Sequence, residues 1–380
     1  MNIFQIQKTF NTKAKCIKHL EKVRWAGKPV CVHCESDNVT KKKSRKFYYR
    51  CNKCRKDFTV LFGTIFEASK LPLPKWFMLI GLILNARKGI SSMELHRHLG
   101  VTYKTAWYSA MRVRCAMVDQ ISLLEGIIEM DEAYIGGKPR KRGKKEGSNV
   151  ANLSTVTFKR GRGTKKVPVV AIVEREGKKR VVTEVAGRLT SKNMLAMLKK
   201  YVNTEKAIAM TDEARFYHQF EKELQHLIVT HSKGEYVRDI VHTNTVEGFF
   251  SIIKNGIRGE YYVLSKKYLP FYLAEFAYKY NRRSKEDKKE AFGETITNAV
   301  NDVKCLVEYK PKGNVEKIAY GDSVWKEAPK KPKHKVKRKK KMPPVKKRTV
   351  RKKQPPVKKS KKKVRKRSVK IYTKKKLTKK

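Results

Sequence analysis

The stretch GIIEMDEAYIGG, residues 126–137, decides the fold. Its first part, 126–130, is apolar and strand-like, and it runs straight into Asp131. A carboxylate at the end of a buried strand is costly unless a cation or hydrogen-bond donors meet it. Side chains alternate along a strand, so Glu129 and Asp131 share a face while Glu132 points away. Working outward, 167–173 and 180–185 read as two further strands that complete an antiparallel meander. A helix follows at 191–201, then a short strand at 207–210 that ends in Thr211 and Asp212. A helix at 214–223, a fifth strand at 227–230 and a long helix from about Asn244, carrying Glu247, complete the series.

Strand, strand, strand, helix, strand, helix, strand, helix is the order of a ribonuclease-H-like α/β fold with a mixed five-stranded sheet. In that order the first and fourth strands are neighbours, so Asp131 and Asp212 can meet, and the helix after the fifth strand can add Glu247. Three converging carboxylates repel one another unless cations bind. Two Mg²⁺ or Mn²⁺ ions would relieve that repulsion and would serve phosphodiester chemistry. Lys254 follows Glu247 by two helical turns on the same face, where it could touch a phosphate. Structural uses compete: Asp131 as a strand-end turn former, Asp212 as a helix N-cap, and Asn244 with Glu247 as a capping box. His242 either orients a carboxylate or caps the helix.

Cys31 and Cys34 are separated by two residues, as are Cys51 and Cys54, with 16 residues between the pairs. That spacing predicts one structural zinc ion with no open position for water. Glu35 stands where a cysteine knuckle often prefers glycine. His33 is expected to face solvent, and Cys16, Cys115 and Cys305 have no partner spacing. Ser91 to Glu94 has the pattern of a helix start, with Leu95 and Leu99 on its apolar face. Gly100 breaks that helix, and a second runs from about Thr102 to Met117 with Ala106, Ala110 and Val113 inward. This is a helix-turn-helix candidate, its second helix presenting Thr102, Tyr103, Lys104 and Thr105 to base edges. His96 and His98 lie on different helix faces and are not read as metal ligands.

The formal net charge of the 380 residues is +58, which points to a polyanionic partner. From 330 to 380 there are 29 Lys and Arg and no Asp or Glu, so the other 329 residues still carry a net +29. The body is therefore basic without its tail, and the tail cannot fold alone. It should add salt-sensitive, sequence-independent DNA affinity. The segment 138–166 is also basic and could clamp DNA. The start, 1–15, has no apolar core suited to a signal peptide, and the longest apolar run, 76–84, is too short to cross a bilayer, so no membrane partner is expected. Reduced cysteines imply an intracellular location, nucleoid-associated in a bacterium or nuclear in a eukaryotic host.

The runs FTVLFGTIFEASKLPLPKWF (58–77), EMDEAYIGG (129–137), TDEARFY (211–217) and HTNTVEGFFSIIKNGIRGEYY (242–262) resemble the ISXO-like insertion-sequence transposases and their Merlin-type relatives. The resemblance covers roughly residues 10–285 and does not extend to the tail. It implies a zinc ribbon, a helical DNA-binding segment and a DDE catalytic domain. It implies Asp131 and Asp212 as the first two catalytic acids, with His242, Thr243, Asn244 and Glu247 as the third motif. Asn244 and Glu247 both remain candidates there; Glu247 is favoured because a carboxylate binds Mg²⁺ more strongly than an amide. The implied activity is metal-dependent cleavage and strand transfer at terminal inverted repeats of double-stranded DNA, by a homodimer or larger synaptic complex. A DNA-binding regulator or chromatin protein derived from a transposase is the alternative. The expected domains are 1–62 (N-terminal helix and ribbon), 63–120 (helical DNA-binding segment), 121–300 (catalytic), 301–329 (extension) and 330–380 (tail).

Overall fold

Local sequence rules account for where most helices begin. In the computed structural model, which describes residues 2–119, 122–136, 166–234 and 237–301, α1 (Ile3–Thr9) starts at Asn2 with a complete capping box to Gln5. The chain then breaks, and Thr12 caps α2 (Lys13–Trp25). The N-terminal helix expected ahead of the ribbon is thus two helices rather than one. Pro72 and Pro74 sit at the start of α3 (Leu73–Asn85), where a missing N–H costs nothing. Ser91 caps α4 (Ser92–Leu99), Gly100 ends it at φ 57°, and Thr102 caps α5 (Tyr103–Cys115).

The apolar run at 76–84 is the centre of a core. Trp76, Phe77, Leu79, Ile80 and Ile83 are all fully buried on α3. Each such side chain contributes about 1.5–3 kcal/mol of transfer free energy. Around them pack Ile6, Leu20, Leu95, Ala106, Ala110 and Val113, together with Tyr278, Phe292 and Ile296 from the far end of the described chain. Those last residues belong to α8 (Leu269–Asn281) and α9 (Lys285–Asn301), which return to the N-terminal helices.

A second layer is a five-stranded sheet. Its strands are β4 (Leu124–Ile135), β5 (Val167–Glu174), β6 (Val181–Val185), β7 (Val202–Asp212) and β8 (Gln225–Val229), in the order β6-β5-β4-β7-β8. β4, β5 and β6 form the antiparallel meander; β7 and β8 join in parallel. One face packs on α6 (Ser191–Tyr201) and a 3-10 helix, Arg215–Lys222. The other packs on α7 (Asn244–Gly256) and α8. Fold class and strand order agree with the sequence reading. The helix expected at 214–223 is instead a 3-10 helix, whose period of three stacks Tyr217 and Phe220 on one buried stripe.

The two layers are joined by a largely buried ion cluster. Arg114 of α5 donates to Glu275 of α8 at 2.7 Å, and Lys279 Nζ lies 2.5 Å from the same carboxylate. The Tyr261 hydroxyl, at the end of the π-helical turn that extends α7, donates to Glu275 at 3.1 Å. Burial alone would raise the Glu275 carboxyl, but Lys279 and Arg114 hold it down at about 2. Among the described residues no helix is long and apolar enough to cross a membrane. Residues 138–165, the extension beyond Asn301 and the tail lie outside the described residues.

Candidate metal centre and nucleic-acid interface

Asp131 and Asp212 come together because of strand register. β4 and β7 run parallel with Glu129 opposite Met210, so two residues further on Asp131 and Asp212 occupy the same row and the same face. Oxygen atoms of Asp131, Glu132 and Asp212 lie within 4.8 Å of one another. Glu132 is therefore a correction: it was expected to point away. β7 ends at Asp212, so beyond that point β4 keeps β5 on one edge and has no strand on its β7 edge. The buried Tyr217 hydroxyl donates to Glu132 at 3.1 Å from the 3-10 helix. Asp212 also accepts from the Ala214 N–H at 3.0 Å.

Crowding shows in the protonation of Asp131. Burial first, then Glu132, Asp212 and Glu247, push its carboxyl up to about 7. Such a cluster is ill-suited to stand as free anions and well suited to a hard cation, since every donor is an oxygen. The donor set thus fits divalent metal.

Glu247 lies in the first turn of α7. It is near enough to act on Asp131 electrostatically, but it is outside the group of three carboxylates that meet within 4.8 Å. Its side chain is 54% exposed, with the Thr243 hydroxyl at 3.3 Å and His231 Nε2 at 4.0 Å. His231, at the end of β8, was not anticipated; a histidine just past a strand end is its only trace in the sequence. Asn244 is exposed, and its N–H donates to His242 Nδ1 at 3.3 Å. The capping box between Asn244 and Glu247 does not form: Thr243 occupies the cap position and makes no side-chain cap bond. His242 turns inward to Arg175 at 3.0 Å and Glu129 at 3.4 Å. Lys254 lies two turns along α7, with its Nζ 5.9 Å from the Phe250 ring centre. Glu129, fully buried, holds the start of α7 and was assigned no role from sequence.

The four cysteines meet around a small three-stranded sheet, β1 (Val39–Lys41), β2 (Tyr49–Cys51) and β3 (Asp57–Phe58). Their sulfurs lie within 4.8 Å of one another, with Cys31–Cys54 and Cys34–Cys51 both at 3.6 Å. A zinc tetrahedron with Zn–S of about 2.3 Å has sulfurs about 3.8 Å apart, so the donors fit. Backbone N–H groups of His33 and Cys54 point at Cys31 and Cys51 sulfurs at 3.4 Å. Glu35 and Arg55, each just after a CxxC pair, both adopt φ 57°. The glycine conformation is thus used, but without glycine. Exposed His33 has its ring centre 4.6 Å from that of Phe62, the two rings tilted at 59°. Cys16 and Cys115 are buried, and Cys305 lies outside the described residues. Lys42 of the ribbon loop pairs with Asp57.

In the helix pair, Leu95, Ala106, Ala110 and Val113 are inward as expected. Tyr103 is half-exposed, Thr102 and Lys104 are exposed, and Thr105 is partly covered. Thr102 also accepts from the Thr105 N–H at 3.3 Å, so it has a structural use at the cap. His96 bonds the Val101 carbonyl, and His98 sits 3.6 Å from Glu94.

Comparison with known proteins places these parts. Residues 123–281 match the family model described as ISXO2-like transposase domain, and residues 11–57 match the transposase zinc-ribbon domain. A protein of Halobacterium salinarum, described as an uncharacterized protein in transposable element ISH50, is 29% identical over 279 residues, covering 71% of this chain and 91% of that one. Among solved structures, a pre-cleavage Mos1 transpososome is 12% identical with a TM-score of 0.25, covering 57% of this chain and 77% of that one. A mariner Mos1 paired end complex with Mg is 14% identical with a TM-score of 0.24, covering 58% and 78%.

Proposed function

We propose that the chain, which carries a match to the ISXO2-like transposase domain over 123–281 and to a transposase zinc ribbon over 11–57, works as a DDE-type transposase. Asp131, Asp212 and Glu247 hold two Mg²⁺ or Mn²⁺ ions at the rim of the central sheet. Bound there, the ions would activate water or a 3′-hydroxyl and stabilise the leaving oxygen of a phosphodiester. The protein's part is placement. The parallel register of β4 and β7 sets the two aspartates side by side, and α7 carries Glu247 near enough to act on Asp131 electrostatically. Lys254, further along the same helix, contacts phosphate. Asn244 is the other candidate for the third position, but it is a weaker ligand than a carboxylate for a hard cation.

The substrates on this reading are double-stranded DNA ends with inverted repeats, and a target duplex. The Thr102–Thr105 turn of α5 reads base edges, and the ribbon adds phosphate contacts. Synapsis of two ends calls for a dimer or larger assembly. The observation that carries the reading is the meeting of Asp131 and Asp212 within shared-ion reach. Nicking of supercoiled DNA bearing the element's own ends tests it. Wild type with Mg²⁺ should cut, whereas Asp131→Asn should bind the same DNA and lose at least about a hundredfold in rate. Equal cutting by the variant would leave only a zinc-stapled DNA-binding protein.

A further inference from the structure

Glu129 precedes Asp131 by two residues on the same face of β4, and it is fully buried. A buried carboxylate must be matched by donors. Its Oε2 accepts from the Val246 N–H at 2.9 Å, and its Oε1 accepts from the Thr245 hydroxyl at 2.8 Å and from Arg175 Nε at 2.7 Å. Thr245 and Val246 belong to the first turn of α7. There the backbone N–H groups lack helical partners, and the helix end favours an anion. Thr243 leaves that role open. Glu129, a residue more than a hundred positions away in the chain, fills it.

Arg175 completes the attachment from just beyond β5. Besides Glu129, it donates to the Ile240 carbonyl at 2.6 Å and the His242 carbonyl at 2.8 Å. It therefore ties the strand of chain leading into α7 to the same carboxylate that holds the helix start.

We propose that Glu129 and Arg175 are positioning residues of the metal centre, locking the first turn of α7, and with it Glu247, to the strand that carries Asp131. This rests on the reading of Asp131, Asp212 and Glu247 as the metal-holding set. Two features of the geometry argue for it. Glu247 is half-exposed and loosely held by its own partners, so its position comes from its helix. The clamp also sits close to both acids: two residues along β4 from Asp131, and one residue along α7 from Glu247. Residues that orient metal ligands are typically worth about 10- to 100-fold in affinity or activity.

The test uses the full chain with added Mn²⁺ as the probe. Mn²⁺ affinity, nicking rate, the KM for DNA and the thermal midpoint are measured for Glu129→Gln, Arg175→Met and Asp131→Asn. The proposal expects Glu129→Gln and Arg175→Met to lose about tenfold in Mn²⁺ affinity and about 10- to 100-fold in kcat, with the KM for DNA unchanged. A merely structural role would lower the thermal midpoint and DNA binding together. Should Glu129→Gln fail to fold, Thr245→Val deletes one bond to Glu129 at nearly constant shape. It should show the same split between kcat and KM, at about three- to tenfold. Wild-type Mn²⁺ affinity and kcat in folded Glu129→Gln or Thr245→Val would overturn the clamp while Asp131→Asn still abolishes binding. If Asp131→Asn itself binds Mn²⁺ normally, the metal-site reading falls and the clamp falls with it.

Discussion

At the scale of single residues, the protein concentrates unfavourable charge at one point. Asp131 is held near 7 by burial and by acidic neighbours. The sign of its effect follows from linkage. Unfolded, an aspartate loses its proton near 3.9. Folded, Asp131 keeps it to about 7. Between those values the folded state binds more protons, so stability without divalent metal falls as pH rises from about 4 to about 7, and the slope then vanishes. Metal competes with the same proton, so Mn²⁺ affinity should climb through that window and level off above it. Melting without added divalent ions and calorimetric titration, each across pH 4.5–8.5, check both statements. Asp131→Asn should flatten both profiles, and unchanged slopes in that variant would assign them to another group. Glu129 is a buried carboxylate of the opposite kind: donors from the first turn of α7 and from Arg175 satisfy it.

At the scale of elements, the ribbon and the helix pair behave differently. The ribbon's apolar cluster is small, built on Cys31, Tyr49, Cys51 and Phe58 with Trp25 packed edge-on against Tyr49 and Phe58. So small a core cannot hold three short strands without its metal. Cys51→Ser should abolish stoichiometric zinc and open 31–58 to protease while the α3 core stays folded. Continued protease resistance without zinc would remove the metal's structural role. The pair α4–α5, by contrast, is anchored in the α3 core. Lys104→Ala, on an exposed first turn, should weaken DNA binding with little change in stability. Thr102→Ala should cost about 1 kcal/mol of stability through the lost cap. Band-shift titration and thermal melts separate the two effects. Undiminished DNA affinity in Lys104→Ala combined with Tyr103→Ala would move the interface elsewhere.

At the scale of the whole molecule, the helix pair α4–α5 and the sheet that carries the acids are one packed unit. Arg114 of α5 and Lys279 of α8 share the fully buried Glu275, Arg114 in full burial and Lys279 nearly so. Tyr261, at the end of the turn extending α7, bonds the same carboxylate and accepts from the Ile90 N–H just before α4. Gly89 is required here: at φ 100° it has no room for a Cβ, which would lie 2.1 Å from the Tyr261 hydroxyl. Glu275→Ala strands two buried cations and should cost about 3–5 kcal/mol. Cutting the ribbon's partly exposed Lys42–Asp57 pair should cost far less, because solvent screens it. Chemical denaturation of the two variants measures the difference, and equal losses would contradict the burial argument.

What could be read in the chain alone follows rules that act over a few residues. Paired cysteines announce their metal, Ser91 and Thr102 their helix caps, and the alternation of apolar runs the strand order. Asp131 and Asp212 were legible because each follows an apolar run and the strand order makes those strands neighbours, although only Asp212 ends its strand and β4 continues past Asp131 to Ile135. Folding in three dimensions decided the rest, because the partners are remote. Glu129 meets α7 across more than a hundred residues, Arg114 meets Glu275 across 161, and Glu132 joins Asp212 only where a neighbouring strand stops. Pattern along a chain reports which face a side chain takes; it carries no information about which distant charge will be waiting there, and a buried charge is defined by that partner.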